Sequence, residues 1–305
     1  MVMNRALFRR NLQEGMNTFF GLEYKKWPEE YRKFLYVDTS EKAYEEDGLM
    51  SGFGAAVVKP EGGAITYDSG QEAWVSRYVH ETVALAFAIT EEAEEDGLYG
   101  KLGAKYAREL ARSMQYTKEV KSADILNRAF NASYLGGDGL ELCSTLHTLV
   151  GGGTFRNELA TAADFSETSY EDALIDIAGF TDERGKPIMA TANRIIVPRQ
   201  LEFDVSRILD NPNRPDTANR DISATYKLGK LPGGVHLNHY LTDADAYFYI
   251  TSVTDQGDGL KHFVRKKVSR GVEGDFETGN MRYKARERYV GGWSDPRGAY
   301  GSPGA

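Results

Sequence analysis

Residues 77–99 read RYVHETVALAFAITEEAEEDGLY, and this stretch decides the fold because a strand pattern passes into a helix pattern within it. Large apolar residues alternate with alanines from Val83 to Ile89. The alternation predicts a strand covered on both faces, with a neighbour packing closely against the alanine side. Thr90 is then a favourable helix N-cap, and acids in the first turns complement the helix dipole. These acids are Glu91, Glu92, Glu94, Glu95 and Asp96.

An apolar stripe continues the predicted helix towards the C-terminus. Its residues recur at every fourth position: Leu98, Leu102, Tyr106, Leu110 and Met114. A helix from Glu91 to about Tyr116 would be about 40 Å long at the standard rise. A second amphipathic stretch, residues 118–130, is predicted to continue it.

The C-terminal part of the chain returns to a period of two, which predicts a strand with one basic face. The cations of that face are Arg282, Lys284, Arg286 and Arg288. Glu287 is the one charged residue on the otherwise apolar side. Two interpretations of the basic stripe stay open. In the first, the stripe pairs with an acidic face, and the acids of residues 91–96 are the candidates, within the subunit or across an interface. In the second, the stripe contacts DNA phosphates.

The N-terminal part predicts an arm followed by a protruding loop. Apolar residues at helical spacing run through the first forty residues, with a break at Trp27-Pro28. Residues 41–54 are acidic and rich in glycine, which predicts a connector outside the core. Residues 55–59 and 64–67 favour strands joined by a turn at Pro60–Gly63. Because an isolated hairpin is marginal in water, we expect it to lean on something else, such as a neighbouring subunit.

Strand and helix patterns alternate from residue 140 to residue 253, which predicts a compact α/β or α+β domain. Within it, a helix after Phe165 is predicted to carry a capping box of Thr168 and Glu171. Residues 187–192 and 194–197 favour strands, and residues 201–209 favour a short helix.

The composition argues against several classes of protein. The 305 residues carry a net charge of −8, which argues against a dedicated nucleic-acid binder. The single cysteine excludes an intramolecular disulfide framework, and the N-terminus lacks an apolar signal-peptide core. No apolar run is long enough to span a bilayer. The 18 tyrosines are equally consistent with a tyrosine-rich core and with hydrated subunit interfaces.

Motifs that could carry catalysis are weak. Gly151–Thr154 has no lysine at the spacing of a phosphate-binding loop, so it favours a turn. His236 and His239 lack a third metal ligand. Cys143, Ser144 and His147 are close in sequence, but a nucleophile also needs a positioned base and an oxyanion hole. We therefore expect no catalytic, cofactor-binding or metal-binding residues and no cofactor.

Several segments together resemble the major capsid proteins of tailed bacteriophages, which have the Hong Kong 97-like fold. The resemblance covers about residues 74–302. The segments that carry it are Arg77–Tyr99, Lys105–Ala111, Ala123–Phe130, Asp138–His147 with Gly152 and Asn157, Asp164–Ser166, Arg288–Trp293 and Asp295–Ser302.

The resemblance implies an α+β capsid fold with four parts. Residues 1–45 would be an N-terminal arm, and residues 46–76 an extended β-hairpin loop lying on a neighbouring subunit. Residues 77–133 and 259–305 would form a peripheral domain with a long spine helix, and residues 134–258 an axial α/β domain.

The resemblance also implies a role and partners. The chain would assemble into hexamers and pentamers of an icosahedral head around double-stranded DNA, without a membrane, in the bacterial host cytoplasm. Expected partners are a separate scaffolding protein, the portal and cement proteins. Lys59 lies near the loop tip, but no crosslinking trio can be matched, so no crosslinking residues are assigned. The alternatives are an enzyme built on residues 134–258 and a decoration or portal-associated binding protein.

Overall fold

A computed structural model describes residues 5–90, 92, 99–213, 221–275 and 279–305. The described helices are α1 Arg5–Lys26, α2 Tyr99–Asn127, α3 Glu167–Ala178, α4 Glu202–Leu209, α5 Ala224–Leu228 and α6 Ser252–Gln256, with 3-10 turns at Glu30–Lys33 and Pro296–Gly298. The described strands are β1 Tyr36–Thr39, β2 Tyr44–Met50, β3 Glu72–Val79, β4 Glu81–Ile89, β5 His147–Thr148, β6 Thr154–Phe155, β7 Ala192–Val197, β8 Gly234–Leu237, β9 Tyr247–Thr251, β10 Leu260–Gly274, β11 Met281–Trp293 and β12 Ala299–Ser302.

The first large sheet has the strand order β1-β10-β11-β4. Strand β11 alternates as predicted: Met281, Tyr283 and Ala285 are buried, whereas the cations between them face solvent. Helices α1 and α2 cover the apolar face, where Met16 and Phe20 pack with side chains of α2 and β11. The period of two in the sequence is therefore confirmed, because one face of this strand lies against helices and the other does not.

Helix α2 is one continuous helix of 29 residues, about 43 Å long. It covers the predicted spine from residue 99 onwards and most of the second amphipathic stretch, so the predicted continuation is confirmed. Leu110 and Met114 of the predicted stripe are buried together with Ala107 and Ala111, but Tyr106 is 46% exposed, so the stripe is only partly as predicted. The predicted acidic start, residues 91–96, lies outside the described residues apart from residue 92.

The alanine face of β4 corrects one expectation. The alternation predicts a strand covered on both sides, but Ala84, Ala86 and Ala88 are exposed in the described chain. β4 is the edge strand of its sheet, and within the described residues the helices pack on the face that carries Val83 and Phe87. Small side chains on the other face leave room for close approach of a second polypeptide.

The predicted hairpin strands at residues 55–59 and 64–67 are wrong. Residues 51–71, all of which the structure describes, form no strand pairing, although the turn at Pro60–Gly63 is present with Gly62 at φ +76°. The strand pairing forms instead between β2 and β3, which flank residues 51–71. Part of the predicted connector at residues 41–54 is therefore a strand. The physical reason is exposure: the apolar side chains of the loop are not covered by any described part of the chain, and an unsupported hairpin is marginal in water.

The second large sheet, with the order β12-β9-β7-β8, confirms a mixed helix and strand domain in the middle of the chain. Helices α3 and α4 pack on it through Ala173, Ile177 and Val205. Ser166 and Ser169, not Thr168 and Glu171, form the capping box of α3, because the helix begins at Glu167. The C-terminal strand β12 pairs with β9 in this sheet, so the end of the chain joins the two halves of the protein.

Candidate functional site

The basic face of β11 is an open surface of the first sheet. Across the strands, Arg282, Lys284 and Arg286 stand opposite Ala88, Ala86 and Ala84 of β4. Arg282 forms an ion pair with Asp275 at 2.5 Å. Lys284 and Arg286 are exposed and form no ion pair within the described part of the chain. Among the described residues, the surface therefore combines a row of exposed alanines with two cations that form no ion pair.

The unpaired part of the extended loop, residues 51–71, is the second open surface. Val57, Val58, Ile65 and Tyr67 are 73%, 91%, 69% and 95% exposed. Such contiguous apolar exposure marks a contact site rather than a stable free surface. Lys59 is exposed at the same end of the loop.

The base of the loop is held in place by polar contacts with the middle domain. Asp68 accepts the backbone N–H of Gly54 at 2.6 Å and forms an ion pair with Arg184 at 3.1 Å. Ser51 N–H donates to the carbonyl of Gln71 at 2.7 Å. The hydrogen bond from Gly54 and the ion pair with Arg184 lower the pKa of Asp68, so its carboxylate stays charged. The loop is therefore anchored at its base and free of cover at its tip.

The N-terminal arm is attached to the first sheet through a buried polar cluster. Lys118 Nζ lies 2.7 Å from Glu287 Oε2, and the Tyr24 hydroxyl donates to the same oxygen at 2.9 Å. Burial and the charge of Glu287 raise the pKa of Tyr24, which keeps its phenol protonated. Glu287, the acid on the apolar side of β11, thus joins α1 and α2 to the sheet.

A second buried network centres on Asn157, which is fully buried. Its amide NH₂ donates to the carbonyls of Leu142, Pro296 and Ala299 at 2.7–3.1 Å. Its carbonyl oxygen accepts the N–H of Ser144 at 2.8 Å. His147 bridges this oxygen, at 3.1 Å, and a buried aspartate. Asn157 therefore joins the start of the middle domain to the C-terminal segment.

A buried cation completes the junction. Arg297 donates to Glu183 Oε1 at 2.7 Å and to Asp295 at 3.2 Å, and its guanidinium lies 4.1 Å from the ring centre of Phe155. Burial raises the pKa of Asp295. Asn157 and Arg297 lie in segments that carry the family resemblance, but no spacing rule points to their roles as buried connectors.

The residues considered for catalysis serve this junction. Cys143 is buried, and burial raises the pKa of its thiol well above the ordinary value, which disfavours the nucleophilic thiolate. His147 Nδ1 lies 2.5 Å from Asp138 Oδ2, so its two ring nitrogens are engaged by Asp138 and Asn157. Ser144 contributes its backbone N–H to Asn157. The three side chains form no nucleophile and base pair among the described residues.

The glycine and histidine motifs are also structural. Gly152 and Gly153 have φ of +89° and +95° and close the β5–β6 hairpin, so the predicted turn is confirmed. His236 lies in β8, whereas His239 follows the strand and lies 2.6 Å from Glu30. In the part of the chain that the structure describes, no three metal-ligating side chains come together, and no helix has the length and apolarity to span a bilayer.

The sequence model of the phage capsid protein family matches residues 74–302, about three quarters of the chain. The chain belongs to the phage capsid protein family. No curated protein matches it at a significant level. The matched residues extend from β3 to β12, so they include both sheets, α2 and the buried junction. Membership of this family makes the chain a structural protein of the phage head, a major capsid protein, and not an enzyme.

Solved structures share the fold at low sequence identity. The capsid of the cyanophage P-SCSP1u has a TM-score of 0.58 and 11% identity, covering 90% of this chain and 88% of that chain. The procapsid of bacteriophage JBD30 has a TM-score of 0.52 and 15% identity, with 98% and 76% covered. A virus-like particle from Pyrococcus furiosus has a TM-score of 0.52 and 12% identity, with 95% and 98% covered. These similarities identify the Hong Kong 97-like capsid fold.

Proposed function

We propose that this capsid protein assembles into hexamers and pentamers, which form the icosahedral head of a tailed bacteriophage and enclose double-stranded DNA. The observation that carries the proposal is the exposed apolar tip of the extended loop. Val58 and Tyr67 are nearly fully exposed in a single chain, and a shell subunit can cover them with its neighbour. Large assemblies of this kind need contacts between non-identical patches of identical subunits.

The parts of the chain take different roles under this proposal. Residues 1–45 are the arm, residues 46–76 the extended loop, residues 77–133 and 259–305 the peripheral domain, and residues 134–258 the axial domain. Strand β12 completes the axial sheet, which supports a rigid connection between the two domains. A separate scaffolding protein, the portal and cement proteins are the proposed partners, assembly takes place in the host cytoplasm, and contact with DNA is non-specific.

Negative-stain electron microscopy of the purified protein, alone and with its co-expressed phage partners, tests the proposal. We expect capsomers or shells from the wild-type chain. Replacing the apolar tip with V57S/V58S/I65S/Y67S should abolish them while the subunit keeps its thermal stability, because these side chains are exposed in the single chain. The matched control replaces apolar residues exposed elsewhere, M189S and F203S, and should assemble. A protein that stays monomeric with all its partners would overturn the proposal.

A further inference from the structure

A cleft of about 980 Å³ lies where the N-terminal arm meets the first sheet. One wall is the end of α1 together with the 3-10 turn at Glu30–Lys33, and the other wall is β10. Tyr24, Trp27 and Tyr31 line the arm side, and Trp27 is 41% exposed. The volume of the cleft is in the range of sites that enclose small molecules or short peptide segments.

The rim of the cleft is positively charged. Lys25, Lys33, Lys266 and Lys267 are exposed and form no ion pair within the described residues. The acids that line the cleft are already paired: Glu29 with Arg32, and Glu287 with Lys118. Arg194, the remaining cation of the lining, is paired with Asp255. Four lysines therefore line the cleft without an ion pair to any described residue, in a chain whose net charge is −8.

The floor of the cleft has buried polar atoms that lack a hydrogen-bond partner within the described structure. They are both ring nitrogens of His262, the hydroxyl of Tyr289 and Oε1 of Glu287. The three residues are 1%, 3% and 2% exposed. Buried polar groups in native proteins are nearly always hydrogen-bonded, and each unsatisfied group costs free energy. All three residues line the same cationic cleft.

We propose that this cleft binds an acidic segment of a partner polypeptide. Glu287 Oε1 requires a donor, whereas His262 with one protonated nitrogen requires one donor and one acceptor. A peptide backbone offers both N–H donors and C=O acceptors, and acidic side chains would reach the rim lysines. A phosphate diester offers acceptors only, so it satisfies the rim but not Glu287. The floor therefore favours a peptide over the phosphate backbone of a nucleic acid.

The inference extends the proposed shell function. It rests on that function, because it expects a second protein to take part in assembly. Its test uses binding to the unassembled full-length protein. The probe is a fluorescein-labelled peptide of about twelve residues, rich in Glu and Asp with two Phe, followed by fluorescence anisotropy. A second peptide replaces each acid by its amide, and a labelled DNA duplex of similar charge tests the nucleic-acid alternative. Shell formation is scored separately by electron microscopy.

Two variants examine the rim and the floor. K25E/K33E/K266E/K267E should weaken binding of the acidic peptide at least about tenfold, because like charges now face each other. The matched control K59E/K105E/K227E/K230E reverses four exposed lysines outside the cleft and should bind like the wild type. Y289F removes only an unpartnered hydroxyl, so it should retain thermal stability yet weaken peptide binding about two- to tenfold.

The expected result is a preference for the acidic peptide over its amide form, lost in the rim variant and reduced in Y289F. Equal binding to the rim and control variants would overturn the inference. So would rim-dependent binding of the DNA duplex without binding of the peptide. If the wild type forms shells but binds no acidic peptide, the cleft inference fails alone and the proposed function stands.

Discussion

Lys118 and Glu287 form a buried ion pair at 2.7 Å, with side chains 10% and 2% exposed. Lys118 comes from α2 and Glu287 from the apolar face of β11, and the hydroxyl of Tyr24 from α1 joins them. The pair therefore holds the arm, the long helix and the sheet together at one point. This contact explains why an acid interrupts the apolar side of an otherwise alternating strand.

Removing one member of this pair should destabilise the subunit strongly. E287Q leaves a buried lysine without its counter-ion, and we expect a loss of about 3–5 kcal/mol in the free energy of unfolding. K118M leaves Glu287 buried without its cation, and the double variant K118M/E287Q should lose less stability than the sum of the two single losses, because it buries no unpaired charge. Denaturant unfolding of the two singles and the double measures the coupling.

The exposed pair Lys121–Glu81 is the matched control for this cycle. Its side chains are 41% and 62% exposed, so water and salt screen the interaction. We expect a coupling of about 0–1 kcal/mol for K121M with E81Q. Equal coupling energies in the two cycles would contradict the role assigned to the buried pair.

Asn157 gives the second stability prediction. N157A leaves three carbonyls and a backbone N–H without their partner in a buried site, so we expect a loss of about 3 kcal/mol or more. N157D keeps the shape but turns an oxygen towards carbonyl oxygens, and it should be at least as destabilising. N131A, which removes an exposed side-chain acceptor from a turn, should cost about 1 kcal/mol or less. Thermal or denaturant unfolding ranks the three variants, and a mild effect of N157D would contradict the network.

The sequence was sufficient for elements whose periodicity reflects a single covered face. Strand β11 and helix α2 are of this kind, because burial against neighbouring elements imposes periods of two and about 3.6. The loop strands at 55–59 and 64–67 were wrong because local β-propensity needs a partner surface, which the described part of the single chain does not provide.

The buried junction was beyond prediction from spacing. The hydrogen bonds of Asn157 reach Leu142, Pro296 and Ala299, whose approach depends on the completed fold. The partner of Glu287 was equally hidden, since Lys118 belongs to a helix pattern that favours many surface lysines. The sequence marked Glu287 as exceptional but carried no information on which cation would reach it.

Two buried groups near the arm should give opposing pH dependences. Burial raises the pKa of Glu119 to about 7, although its carboxylate accepts the N–H groups of Glu30 and Tyr31. Burial, with Lys118 and Arg32, lowers the pKa of His262 to about 3. The folded state thus binds more protons at Glu119 and fewer at His262 than the unfolded state. Stability from Glu119 falls as pH rises from about 4.5 to 7, whereas stability from His262 rises from about pH 3 to 6.5.

Melting temperatures between pH 4.5 and 6.5 separate the two contributions. E119Q should show a melting temperature that rises more steeply with pH than in the wild type, because the opposing contribution of Glu119 is removed while that of His262 remains. H262F keeps a ring stacked against Tyr289 and should show a steeper fall with rising pH. Identical pH profiles for the wild type and both variants would refute the assignment.

Charge reversal on the basic face of β11 distinguishes two roles for that surface. Reversing the charge of a single residue should have little effect on shell formation, because one exposed ion pair contributes only about 0–1 kcal/mol of stabilisation. R282E/K284E/R286E/R288E should impair shell formation if the face meets an acidic surface of another subunit, since four repulsions then act together. The quadruple reversal at Lys59, Lys105, Lys227 and Lys230 controls for net charge. Shell formation is measured by electron microscopy, and DNA packaging by the amount of nuclease-resistant DNA. Normal shells with poor DNA retention would show that the face contacts DNA instead.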